Sequence, residues 1–244
     1  MKASEAATHG RRAVIELREK IINGSLPGGM RLFEVSLAET LEISRTPVRE
    51  ALSRLAEEGL LDRLPNGGFV VRRFGYADVV DSIELRGVME GTAARLAAER
   101  GASPEGLERM RIIVERLDSC FGNQEDEVDF DTYSDLNENF HQELAALSGS
   151  EVIRREVERA SALPFASPSA FLPNRMEIAA FRRSLRSAQE QHRAILNAIA
   201  GREGARAEFV AREHARTARH NLEYIFNKDP ELLLKIPGLA LIHR

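Results

Sequence analysis

The twelve residues from Ser44 to Leu55, S-R-T-P-V-R-E-A-L-S-R-L, constrain the chain more than any other stretch. Val48, Ala51, Leu52 and Leu55 fall at i, i+3, i+4 and i+7, so they share one face of a helix and give it a core to pack on. Ser44 or Thr46 is placed to cap that helix. Either choice puts Pro47 in the first turn, where its missing N–H leaves no bond unmade. Arg45, Thr46, Arg49, Glu50 and Ser53 lie off the apolar face. A helix that opens with Arg and Thr has the chemistry to hold phosphates and to reach base edges in a major groove. From periodicity alone, a plain amphipathic helix with solvated arginines is the better reading, so the flanking sequence decides.

Those flanks have a definite order. Residues 1–10 are small and polar, and the sequence predicts that they fray. A first helix is expected over Arg11–Asn23, with Val14, Leu17, Ile21 and Ile22 as its buried stripe and Gly24 as its stop. The loop S-L-P-G-G, Ser25–Gly29, precedes a short helix over Glu34–Leu41 that turns Leu37, Ala38 and Leu41 inward. The Ser44 helix then runs to about Gly59. Leu61–Leu64 and Phe69–Arg72 read as two short strands joined by the hairpin tip P-N-G-G. Three helices followed by a hairpin make a winged helix-turn-helix, with the hairpin as the wing.

The run L-A-E-T-L-E-I-S-R-T-P-V-R-E-A-L-S-R-L-A-E-E-G-L-L, Leu37–Leu61, with N-G-G-F-V at Asn66–Val70, resembles the GntR superfamily of bacterial transcription regulators. The stretch Ile21–Leu32 also fits the family pattern, except that Pro27 follows Leu26 directly. The likeness covers about residues 11–73. It implies that Arg45, Thr46 and Arg49 contact double-stranded operator DNA, and that Gly67 lets the wing backbone approach the minor groove. Some members carry a DNA-contacting Arg where this chain has Val35.

Composition sets looser bounds. A chain of 244 residues, 43% hydrophobic and 30% charged, suits two small globular domains. The absence of Trp points to a mainly α chain rather than a β-sandwich. The single Cys120 excludes an internal disulfide framework and makes a reducing cytoplasm the expected compartment. Met1–Arg12 lacks the apolar centre of a signal peptide, and no apolar run approaches the roughly 20 residues that span a bilayer. The net charge of −4 does not point to nucleic acid, although residues 1–75 hold 12 Lys/Arg against 10 Asp/Glu.

The expected division is a winged helix-turn-helix over residues 1–74 and an all-α helical bundle over 75–244, the latter ending in an apolar tail. Helices are predicted over 77–100, 104–121, 129–148, 150–163, 175–200 and 203–227, with Gly101, Gly122, Gly149 and Gly201 at breaks. Three prolines between Pro164 and Pro173 mark a loop with the character of a lid. The tail after Pro230 is expected to dock on the bundle or across a dimer. Asn137 and His141 stand at i and i+4, on one helical face. His192 and His214 lie in two further helices, and a bundle can bring all four to one interior point. Three imidazoles and an amide oxygen suit a borderline divalent ion such as Zn²⁺ or Ni²⁺. The alternative is four buried polar groups bonded to one another and to water. His220 is turned about 240° from His214, so it belongs at the surface with His9 and His243. Glu138 and Glu143 are expected to be solvated.

Asp81–Glu99, Leu136–Ser150 and Gln191–Arg202 resemble the FCD effector domain of the FadR subfamily, over about residues 77–227. Many members hold a metal with an Asp or Asn and three His, which implies Asn137, His141, His192 and His214 as ligands here. Asn in place of Asp removes one negative charge and lowers the expected affinity. Arg86 is the candidate anchor for a small carboxylate effector, since a guanidinium grips a carboxylate through two parallel bonds. Pairing with Glu90, one turn on, is its simpler role. Together these readings describe a cytoplasmic, homodimeric, effector-controlled regulator and not an enzyme. A metal-dependent enzyme and a ligand-free dimerisation bundle are the two rivals.

Overall fold

The computed structural model describes residues 2–124, 127–163, 165–169, 179–228 and 239–243. The chain divides into two units, Met1–Val79 with Glu231–Arg244, and Val80–Pro230.

In the first unit, helix α1 (Lys2–Ile22) lies against α3 (Arg45–Glu57), and Leu17, Ile21, Val48, Leu52 and Leu55 are all fully buried. The four apolar positions read from the sequence of α3 are therefore its core face. Helix α2 (Glu34–Leu41) has the expected bounds and buries Leu37, Ala38 and Leu41. Glu42 ends it in the left-handed conformation, φ 54°, and turns the chain into α3. Ser44 has the extended backbone of an N-cap, but its hydroxyl makes no capping bond, and Thr46 lies inside the helix. The wing is a three-stranded antiparallel sheet in the order β1 (Arg31–Leu32), β3 (Phe69–Val71), β2 (Leu61–Arg63). Gly67 and Gly68 form its tip with φ of 83° and 90°, a region that favours glycine.

Helix α1 starts earlier than expected, at Lys2 and not Arg11, and Ala3, Glu5, Ala6 and Ala7 are strong helix formers. The described end of the tail groups with the first unit. It forms a short 3₁₀ turn (Leu239–Leu241) and then β5 (Ile242–His243), which pairs in parallel with β4 (Phe74–Gly75). Leu239, Leu241 and Ile242 are buried there, which accounts for the apolar character of the chain's end.

The second unit contains α5 (Pro104–Ser119), α6 (Phe130–Leu147), α7 (Glu151–Ser161), α8 (Ala179–Ala200) and α9 (Gly204–Lys228), together with most of α4 (Tyr76–Arg100). Ser103, Asp129 and Ser150 cap α5, α6 and α7 by accepting from the backbone N–H of Gly106, Thr132 and Ile153. Met110, Val114 and Leu117 of α5 share a core with Tyr133, Phe140 and Leu144 of α6 and Ile195 and Ile199 of α8. Gly87 and Gly91, one turn apart on α4, let α9 approach closely: a Cβ on Gly87 would stand 2.8 Å from Cβ of Ala215. This approach brings Arg86 and Glu90 of α4 towards His214 of α9.

Candidate metal centre and DNA-reading helix

Phe140 and Leu144 hold one face of α6 in the core, and the same face carries Asn137 and His141 inward, both buried. Ile195 and Ile199 do the same for His192 on α8, and Ala207, Ala211 and Ala215 for His214 on α9. The three imidazoles meet. Nε2 of His192 lies 3.0 Å from Nε2 of His214, which lies 3.3 Å from Nε2 of His141. Each Nδ1 faces an oxygen: Glu90 Oε1 at 2.8 Å for His141, Gln189 Oε1 at 2.9 Å for His192, and Gln191 Oε1 at 3.1 Å for His214.

This arrangement fixes the tautomers. Gln189 donates through its amide nitrogen to the carbonyl of Val114 and to Asp118, so its oxygen can only accept from His192. The Glu90 carboxylate likewise only accepts, because its carboxyl is held at about 2: burial pushes it up, but the charge of Arg86 and the hydrogen bond from His141 outweigh that push. With the Nδ1 protons committed in this way, bare lone pairs converge at the three Nε2 atoms. Burial, reinforced by the other imidazoles, keeps His192 well below its ordinary range and His214 at about 3, so a proton takes neither of these two lone pairs. A set of convergent lone pairs, each backed by an outer hydrogen bond, fits a divalent cation.

Asn137 lines the small cavity, about 30 Å³, that His214 borders, together with Arg86 and Tyr133. Its amide nitrogen donates to Ser169 Oγ at 3.2 Å, which leaves the amide oxygen for a ligand. Arg86 is 2% exposed. Its Nη1 stands 3.6 Å from Glu90 Oε1, an ion pair too long for a hydrogen bond. Nε and Nη1 of Arg86, Oε2 of Glu90 and the Tyr133 hydroxyl have no hydrogen-bond partner among the described residues.

In the first unit, Arg45, Thr46 and Arg49 are all exposed, and the side chains of Arg45 and Arg49 are 61% and 64% exposed. Both bind Glu34 of α2. Arg49 does so through two bonds of 2.8 and 2.9 Å, and Arg45 through one of 3.4 Å. The bond from Arg49, ahead of its charge and that of Arg45, holds the Glu34 carboxyl below its ordinary range. Val35 is 51% exposed beside this cluster. Gly67 has no atom within 4 Å of the place a Cβ would take, so φ alone demands glycine there.

Two family models match the chain, the gntR family of bacterial regulatory proteins over residues 10–71 and the FCD domain over 81–217. A transcriptional regulator of Streptomyces ambofaciens, described as lying in an unstable DNA locus, is 30% identical over 95% of this chain and 92% of its own length. The chain belongs to the GntR family. The Nta operon transcriptional regulator of Aminobacter aminovorans is 36% identical over 54% of this chain and 60% of that one. E. coli McbR/YncC has the same fold, with a TM-score of 0.64 and 22% identity over 90% of this chain and 99% of that one.

As a GntR–FCD protein the chain is a transcriptional regulator, mostly helical, with a winged helix ahead of a helical domain. Among the described residues no helix is long and apolar enough to cross a membrane. His220 and His243 are exposed as expected, while the side chain of His9 and half of the segment from Pro164 to Pro173 lie outside the described residues. Glu138 is exposed, but Glu143 is not simply solvated, since Arg109 holds it through bonds of 3.0 and 2.7 Å. Sequence reasoning gave Glu90 to Arg86 alone and missed its bond to His141. It also missed Gln189, Gln191, Tyr133 and Glu34. For Gln189 and Gln191 a signal was present: both lie within three residues of His192 on a helix.

Proposed function

We propose that this regulator binds operator DNA as a homodimer, and that a small organic acid tunes the binding from a metal site in the helical domain. His141, His192 and His214, with Asn137 as a fourth donor, would hold a divalent ion such as Zn²⁺ or Ni²⁺. A bound ion would act as a Lewis acid, offering an open coordination position to an anion. Arg86 grips the carboxylate from the other side of the same cavity. Its unpaired, buried N–H groups are the observation that carries this reading, because a buried donor without a partner costs free energy that an anion would recover.

Arg45, Thr46 and Arg49 face base edges and phosphates, and the Gly67 tip reaches the minor groove. The Glu34 carboxylate stands in for an anionic partner until a duplex displaces it. The acid binds one arrangement of the two reading heads better than another and so changes operator affinity. The site serves sensing and not turnover, since the buried carboxylate beside it, Glu90, is occupied with His141 and Arg86. Operator affinity is to be measured by fluorescence anisotropy on a duplex recovered from genomic selection, with and without small carboxylic acids. A shift of fivefold or more that vanishes in Arg86→Met supports the reading. An equal shift in that variant, or consumption of the acid by the protein, contradicts it.

A further inference from the structure

We infer that Phe33 and Val35 contact thymine methyl groups in the major groove, so that the preferred operator carries thymine close to the bases under Arg45 and Arg49. The inference rests on the reading of α3 as the DNA-reading helix. Phe33 is 66% exposed and Val35 is 51% exposed. They flank Glu34 in the sequence, and its carboxylate accepts two bonds from Arg49, of 2.8 and 2.9 Å, and one from Arg45, of 3.4 Å. Neither apolar residue suits its place locally. Phe33 is the N-cap of α2 and makes no side-chain capping bond, where Ser, Thr, Asp or Asn would satisfy a free N–H. Val35 lies in the first turn, off the buried face of Leu37, Ala38 and Leu41. Its branched Cβ loses rotamer freedom in a helix, while half of its surface stays in water. Residues that work against local stability and gain little from packing are expected at functional positions.

What covers the pair follows from its surroundings. Two exposed guanidiniums meet at the residue between them, which suits an anionic partner and not a wholly apolar one. A duplex offers two kinds of surface, phosphates and base edges. An apolar side chain gains nothing from a phosphate. On the base edges of the major groove the one apolar group is the C5-methyl of thymine. Neighbouring Cα atoms stand about 3.8 Å apart, and one side chain separates either Cα from the guanidiniums. Phe33 and Val35 therefore lie on the order of 10 Å from both arginine heads, about three base-pair steps along a duplex. The arginines then supply hydrogen bonds at their own base pairs, and the two apolar residues supply discrimination at pairs next to them. Cytosine differs from thymine there by an amino group and by the missing methyl, so an apolar contact rejects it.

The test uses a duplex that the full chain retains from a random-sequence pool, remade with deoxyuridine for thymine at one position at a time. That exchange removes the methyl and leaves every hydrogen-bonding group of the base in place, and the protein is untouched. Fluorescence anisotropy should show at least one exchange that weakens binding about fourfold, the worth of burying one methyl-sized group. The same exchange should cost Val35→Ser or Phe33→Ser less than about twofold, because the contact is already gone. On the thymine duplex that variant should bind about as the parent binds the deoxyuridine one. No exchange that weakens the parent, or an equal loss in both serine variants, overturns the methyl contact. Thymine-duplex affinity unchanged in both serine variants overturns it too and leaves the pair to a protein partner. In each of these cases a loss in Arg49→Ala keeps the DNA-reading helix standing, whereas unchanged binding in Arg49→Ala overturns that reading and the inference together.

Discussion

Glu90 does two jobs with one carboxylate. It orients His141 through Nδ1 and balances the buried Arg86. Removing its charge should loosen the metal more than it disturbs the fold, because outer partners of ligating histidines commonly set affinity by about 10- to 100-fold. Glu90→Gln is expected to weaken Zn²⁺ binding within that range in a competition titration with a fluorescent chelator, while the circular dichroism spectrum stays that of the parent. The histidines also predict a pH response for metal-free protein. The unfolded chain takes up a proton on His214 near 6.5, but the folded chain resists until about 3. Stability from this group is therefore complete above 6.5 and is lost as pH falls through that window, by about 1.4 kcal/mol per pH unit. His192 adds in the same direction. Melting temperatures of EDTA-treated protein should fall steadily from pH 6.5 to 4.5, and His214→Gln should flatten the slope. An equal slope in that variant would count against a buried neutral imidazole.

At the scale of elements, what could be read from the sequence was what is encoded locally. Helix α3 was legible because four apolar residues at helical spacing, a proline in the first turn and a glycine stop all act within a few turns. The three histidines were legible as candidates, but only packing makes them a site. It is Phe140, Ile195 and the alanines of α9 that aim them at one point. The pairing of β4 with β5 was not legible. Each strand has two residues, too few for an alternating pattern, and the partners lie far apart in the sequence. Gly87 and Gly91 offered a signal that periodicity passes over, two residues without side chains one turn apart. Filling that close approach should be costly. Gly87→Val is expected to destabilise the fold by about 2 kcal/mol, as overpacking does, measured by urea unfolding. Gly67→Ala at the wing tip meets no neighbouring atom and strains only φ, so it should cost less.

At the scale of the whole molecule, a net charge of −4 says that affinity for DNA must come from a local surface and not from overall attraction. In the proposed reading the exposed Arg45 and Arg49, both paired with Glu34 here, supply that surface. Arg49→Ala should therefore weaken operator binding by about 10- to 100-fold, the worth of a bidentate base contact. Affinity for random sequence should change far less. Anisotropy on both duplexes at matched salt checks this, and equal losses on the two would reduce Arg49 to a phosphate contact.

The account depends most on the three convergent imidazoles being a metal site. Protein purified without chelator or affinity metal, exchanged into metal-free buffer and analysed by inductively coupled plasma mass spectrometry, tests that directly. The prediction is close to one equivalent of a divalent transition metal per chain after Zn²⁺ or Ni²⁺ is supplied and the excess removed, and a near-complete loss in His192→Ala. Retention of the same metal by His192→Ala, or none retained by the parent, would contradict it.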